Sequence, residues 1–97
     1  MEMIGKKCIV RTYSAGVFFG TLESLDGKIG VVSHARRIWY WAGAATLSQL
    51  ATEGTKKPTQ CRFPAVVELV YLSEIIEVIL ASDAAIASIE GVPVWSE

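Results

Sequence analysis

Ninety-seven residues, 52% of them hydrophobic and 20% charged, carry a formal net charge of −1, with a mean hydropathy of +0.39. That is enough chain for one domain, and it is too apolar for a disordered segment, which needs low hydrophobicity and high net charge. No run reaches the roughly 18 uninterrupted apolar residues of a membrane helix, residues 1–7 lack the apolar stretch of a secretory signal, and two cysteines with one histidine cannot complete a four-ligand zinc site from one chain; a soluble cytoplasmic domain is expected.

Strands dominate the first half. Lys7 to Thr12 is short and β-branched, Ser14-Ala15-Gly16 reads as a small-residue turn, and Val17 to Leu25 resumes as a strand. Asp26-Gly27 is a two-residue hairpin signal, so Lys28 to Ser33 is expected to pair back. His34-Ala35 makes a short break, and Arg36 to Trp41 follows as a fourth strand of a meander. Thr46 and Gln49 have the spacing of a capping box. Leu47, Leu50 and Ala51 recur at helical spacing after Thr46, and Gly54 stands where a left-handed cap ends a helix. Residues 55–64 form a polar loop bounded by Pro58 and Pro64. Ala65 to Leu72 and Ile75 to Leu80 read as two more strands, the second alternating so poorly that it should be covered on both faces. Ser82 is an N-cap with Asp83 in the first turn of a second helix. Ile86 and Ile89 share one face of it, Gly91 ends it, and Val92 to Trp95 is an extended apolar tail. The expected fold class is α+β: a compact antiparallel sheet of about six strands, one short helix after the fourth strand, and one C-terminal helix.

The near-neutral total hides an asymmetry. Residues 1–62 hold nine bases against four acids, a net of +5, and residues 63–97 hold six acids and no base, a net of −6. This balance is a poor match to a nucleic-acid-coating protein, whose affinity comes mostly from a basic surface. A few arginines in a pocket still suffice for a small phosphorylated ligand. A chain this short exposes much of its surface, and monomers rarely show large apolar patches. The apolar surplus therefore points to coverage by other copies of the chain.

The densest constellation is Arg36-Arg37-Ile38-Trp39-Tyr40-Trp41. On a strand, Arg37, Trp39 and Trp41 share one face and Arg36, Ile38 and Tyr40 the other. Guanidinium forks hold phosphate oxygens and rings stack on a base, while the capped helix start beyond Ala42-Gly43-Ala44 is a phosphate seat. Two tryptophans filling the core under the helix, with the arginines covering its edge, are the competing reading. In Arg11-Thr12-Tyr13-Ser14-Ala15-Gly16 the small residues let amides approach an anion, although spacing alone favours an ordinary tight turn. Gln60-Cys61-Arg62-Phe63 offers a ring platform in Phe63 and a phosphate contact in Arg62, or else a hydrophobic anchor with a solvated arginine. His34 alone supports no triad. Glu68, Glu74 and Glu77 suit solvated or paired positions rather than a buried carboxylate dyad, and Cys8 and Cys61 suit buried, reduced thiols. No catalytic, metal or cofactor site is expected.

Two motifs in order, Val10-Arg11-Thr12-Tyr13-Ser14-Ala15-Gly16-Val17 with Gly20, and Ala35-Arg36-Arg37-Ile38-Trp39-Tyr40-Trp41-Ala42-Gly43-Ala44-Ala45-Thr46-Leu47, resemble the phage-encoded Thoeris anti-defence family. The likeness is clear over residues 7–54 and continues to Trp95. Members of that family are nucleotide sponges that block TIR-domain immune signalling. The resemblance implies a compact α+β protomer assembling into dimers and up to hexamers, which binds cyclic ADP-ribose isomers without degrading them. It also implies a separate site for cyclic oligonucleotide signals of another defence system. Carried onto this chain, Arg37 is placed on the pyrophosphate with Arg36 as second choice and Phe63 stacks on adenine, with Trp41 and Arg62 completing the ligand set. Arg11, Thr12, Ser14, Ala15 and Gly16 supply the second site.

The expected function is thus a single sequestering domain, residues 1–97, that acts in the host bacterial cytoplasm on a small cyclic nucleotide. It is not an enzyme, needs no cofactor, and takes as partners its ligand and other copies of itself, not a nucleic-acid polymer or a membrane. Two rivals stand beside it: a hydrolase of the same signal using a glutamate such as Glu68, and a single-stranded nucleic-acid module using Trp39, Trp41 and Arg37.

Overall fold

The computed structural model describes residues 3–97. Five strands, β1 (Lys7–Thr12), β2 (Val17–Asp26), β3 (Ile29–Arg37), β4 (Val67–Leu72) and β5 (Ile75–Leu80), and two helices, α1 (Leu47–Glu53) and α2 (Asp83–Glu90), make an α+β fold. All pairings are antiparallel and the strand order is β4-β3-β2-β1-β5. Only Ser73 and Glu74 separate β4 from β5, yet these strands lie at opposite edges. Leu72 and Ile75 are three residues apart, at most about 11 Å of extended chain. The edges of a flat five-stranded sheet lie about 19 Å apart. The sheet therefore curls, and the Ile75 amide donates to the Lys28 carbonyl in the β2–β3 turn at 2.9 Å.

Curling divides the core in two. Cys8, Val10, Phe18, Leu22, Val32, Ala35, Leu72 and Ile75 fill the concave side. Ile9, Phe19, Ile38, Phe63 and Ala81 meet Leu47, Leu50 and Ala51 of α1 and Ala85 and Ile89 of α2 on the other. Both helices start as their sequences direct. Thr46 Oγ1 accepts from the Gln49 amide at 3.1 Å, while Gln49 Oε1 accepts from the Ala45 amide at 2.9 Å, one residue before the usual capping-box donor. Ser82 Oγ accepts from the Ala85 amide at 3.1 Å and donates to the Thr52 carbonyl at 2.6 Å, tying the start of α2 to the end of α1.

The fold class stands as expected, but the strand count differs. His34-Ala35 does not break the third strand: β3 runs through to Arg37, and α1 follows the third strand rather than the fourth. His34 takes a left-handed φ of 48°, and the β2–β3 register shifts between Phe19/Arg36 and Thr21/Ser33. This bulge absorbs the extra residue and lets the strand continue. Residues 38–41 leave the sheet after the Ile38 amide donates to Val17 O and make only an isolated bridge, Tyr40 to Arg62. β5 is covered only in part on each face: Val78 packs on the concave cluster and Ile79 on the helix-side cluster, while Ile76 and Leu80 of this edge strand are about half exposed.

Candidate functional site

The pleat sends the two adjacent arginines to opposite sides of the sheet, and the bulge at His34 sets which side each takes. Arg36 pairs with Phe19 on the helix side and Arg37 with Phe18 on the concave side. Arg36 is buried, and its guanidinium donates from Nε to Pro64 O (3.0 Å), from Nη1 to Ile89 O (3.0 Å), and from Nη2 to Phe63 O (3.2 Å) and Val92 O (2.7 Å). Ile89 lies in the last turn of α2, the helix end that carries partial negative charge. The Arg36 side chain thus fastens β3, the residue 63–64 segment, α2 and the tail together. Burial pushes its pKa below the ordinary value.

Arg37 is solvent-exposed. Its Nη1 donates to the Ala15 carbonyl, and its guanidinium carbon stands 4.4 Å from the Phe18 ring centroid. A Cβ at Gly16 would come to 3.3 Å from Nη1, so the glycine leaves room for the guanidinium beside the turn. This contact joins the two sequence motifs at one end of the sheet. Thr12 holds the turn from within: its amide and hydroxyl both donate to Gly16 O, at 3.0 and 2.7 Å. Tyr13 is exposed, and its amide donates to Glu74 O. The amides of Ser14, Ala15 and Gly16 make no backbone hydrogen bond among the described residues, leaving donors next to a guanidinium as anion-binding turns do.

A second cation stands on the segment that follows. Arg62 is exposed and lies 5.8 Å from the Tyr40 ring centroid and 5.7 Å from that of Trp95. The Trp39 and Tyr40 amides both donate to Arg62 O, and the Arg62 amide donates to Tyr40 O. Trp39 is 62% exposed, the most accessible large ring on this segment. Arg37 and Arg62 are thus two exposed guanidinium forks, and Trp39 and Tyr40 two exposed rings between them in sequence.

Three expected site residues are placed differently. Phe63 is fully buried beneath the Arg36 guanidinium, and its carbonyl accepts from the Trp95 amide; no ring face is open to an adenine. Arg36 is held by four backbone carbonyls inside the protein, so it does not present its fork at the Arg37 surface. Trp41 does not share the exposed face of Arg37 and Trp39: it is half-buried against the helix-side core, because the chain leaves the strand before it. At the turn, Arg11 is ion-paired with Glu77 at 3.0 Å, and Ser14 donates to the Glu74 carboxylate, the paired positions expected for those glutamates. Phe18 and Trp95 are rings beside these cations that the residue pattern did not single out. Counting outward from the Gly27 turn, Asp26 pairs with Ile29 and Phe18 with Arg37, a relation available from the hairpin signal.

Cys8 and Cys61 are buried and unpaired in any disulfide. Among the described residues, no group of three or more His, Cys, Asp or Glu side chains converges to hold a metal ion, and no helix is long and apolar enough to cross a membrane. Residues 5–89 match the model of a family described as a domain of unknown function (DUF6948). No curated protein and no solved structure matches the chain.

Proposed function

The chain belongs to that family, DUF6948, and we propose that it is a phage anti-defence sponge, holding TIR-generated cyclic ADP-ribose isomers in the infected bacterium's cytoplasm without breaking a bond in them. The observation that carries this reading is the Arg37–Ala15 contact, which gathers both Thoeris-like motifs onto one surface. A diphosphate suits the Arg37 fork beside the amides of Ser14, Ala15 and Gly16. An adenine suits the exposed faces of Trp39 or Tyr40, with Arg62 as a second cation. The turn expected to form a separate second site is shared with that diphosphate, so a cyclic oligonucleotide signal would compete for the same amides, the side chains of Arg11, Thr12 and Ser14 being occupied.

Sequestration acts by mass action, so it requires affinity and many sites but no reacting group. A second copy of the chain supports it. Val67, Leu69 and Tyr71 of β4 are all more than half exposed on an unpaired edge strand. Such an edge is a template for strand pairing, and its apolar residues are the surplus that composition required to be covered. Pairing along β4 gives at least a dimer, and further contacts through the opposite edge, β5, lead to larger closed assemblies such as hexamers.

The test is recovery. Incubated with the cyclic signal, the protein is expected to deplete free ligand, and heat denaturation is expected to return it chemically unchanged. A cleaved product would instead establish a hydrolase. The exposed Trp39 also admits a single-stranded nucleic-acid reading; that reading requires steep weakening of oligonucleotide binding with salt, and such a result without binding of the cyclic signal would displace the sponge.

A further inference from the structure

A separate cavity of about 580 Å³ opens on the helix side, lined by Lys7, Phe19, Thr21, His34, Arg36, Val66 and Glu90. Its floor carries an electrostatic anomaly. Arg36 is only 4% exposed, yet its acceptors are four neutral carbonyls. Among the described residues the ion pairs are Lys7–Glu90 and Arg11–Glu77, so this buried cation has no carboxylate partner. Buried charges are ordinarily paired, because desolvation without a counter-charge is costly. A guanidinium has five N–H donors, and the four hydrogen bonds leave one on the group that lines the cavity. The rim adds the Lys7–Glu90 pair, which is neutral as a unit, and the His34 imidazole on its left-handed backbone. Non-glycine residues held in that region concentrate at functional sites.

We propose that this cavity binds a small organic anion, its charged head on the remaining Arg36 N–H and its apolar body along Phe19 and Val66. The charged head supplies the missing counter-charge, and His34 and Lys7 are the rim donors that guide it in. The volume lies within the range of small-molecule sites, which combine an apolar lining with a few polar groups. This inference does not rest on the sponge reading: it concerns the opposite side of the sheet from Arg37 and a ligand without a nucleotide.

The full chain, titrated with benzoate and with phenyl phosphate, is followed through the side-chain Nε–H resonance of Arg36. A saturable shift is expected with one or both; the stronger of the two identifies a carboxylate or a phosphate as the head group. Glu90→Gln, which removes the one negative charge at the rim, is expected to tighten binding several-fold. Val66→Trp fills the mouth from a half-exposed position and is expected to abolish the shift while the backbone spectrum stays native. Arg37→Ala is expected to leave it unchanged, which separates this site from the proposed sponge surface. An Arg36 resonance that does not move, moves equally in Val66→Trp, or responds equally to neutral benzamide overturns the proposal.

Discussion

Arg36 and Val92 are joined by a 2.7 Å hydrogen bond from Nη2 to the carbonyl just beyond α2, which makes an arginine of the third strand the clasp of the C-terminal segment. Removing it leaves the Pro64 and Val92 carbonyls without a donor, while Phe63 O and Ile89 O keep the Trp95 and Val92 amides; each buried unsatisfied group costs about 1–3 kcal/mol before relaxation and water entry. Arg36→Ala is therefore expected to lose about 3–5 kcal/mol in urea unfolding, the range for breaking a buried charged network. Its neighbour differs sharply. Arg37→Ala forfeits one exposed hydrogen bond and a cation–ring contact and should cost about 1 kcal/mol. Equal losses for the two variants would contradict the assignment of Arg36 as the internal fastener.

Gly54 gives a second stability test. It ends α1 at φ 78°, ψ −160°, a region that is essentially glycine's alone. A Cβ there would fall 2.3 Å from Ser88 Cβ and 2.4 Å from Ser88 Oγ. Gly54→Ala is expected to cost about 2–4 kcal/mol in thermal or urea unfolding, since backbone strain adds to overpacking between the helices. Gly27→Ala, also at positive φ but with nothing within 4 Å of its Cβ, should cost about 1 kcal/mol, the conformational share alone.

What the sequence disclosed and what it hid follow the range of the interactions. Thr46, Gln49 and Ser82 cap helices through partners three or four residues away, so spacing revealed them. Arg36 is buried by residues 27 to 56 positions further along, and nothing in Ala-Arg-Arg-Ile distinguishes it from Arg37. Phe63, flanked by Arg62 and Pro64, reads as a loop ring; the tail bridging at Val94 buries it. The Phe18–Arg37 pair was within reach, because the two register shifts in the β2–β3 hairpin cancel and leave the count from Gly27 intact.

The open β4 edge predicts self-association that a charge should block. Leu69 and Tyr71 are 59% and 67% exposed, so lysine at either position should alter the protomer's own stability by no more than about 0.5 kcal/mol. Lysine on an edge strand opposes pairing. Leu69→Lys and Tyr71→Lys are expected to lower the solution mass measured by light scattering towards that of one chain. A wild-type protein that is already monomeric would remove the second copy from the proposal.

Cys8 sets a pH dependence. Burial pushes its thiol pKa above the ordinary value, with the Lys6 charge opposing the shift. The folded state then holds the proton more tightly than the unfolded state. The corresponding stability is fully present below the unfolded thiol's pKa and is lost as pH rises through the folded value. Urea midpoints should therefore fall from about pH 8.5 upward, and Cys8→Ala, less stable throughout because it leaves a small void, should fall less steeply. Parallel profiles for the two proteins would show that Cys8 does not contribute to the slope.

The sponge reading turns on Arg37 keeping its fork beside the turn. Calorimetry with the cyclic ADP-ribose signal is expected to show Arg37→Ala binding about ten- to hundredfold more weakly, the equivalent of one charge-assisted contact of about 1.5–3 kcal/mol. Arg37→Lys keeps the charge but not the fork, so it should recover only part of that loss. Gly16→Ala places a methyl 3.3 Å from Arg37 Nη1 and strains the turn, whose φ is 101°. It should weaken binding while leaving the charge in place. Light scattering on each variant separates a lost contact from a lost assembly. Wild-type affinity in an intact Arg37→Ala assembly would mean that the phosphates are held elsewhere, with the exposed Arg62 the next group to replace.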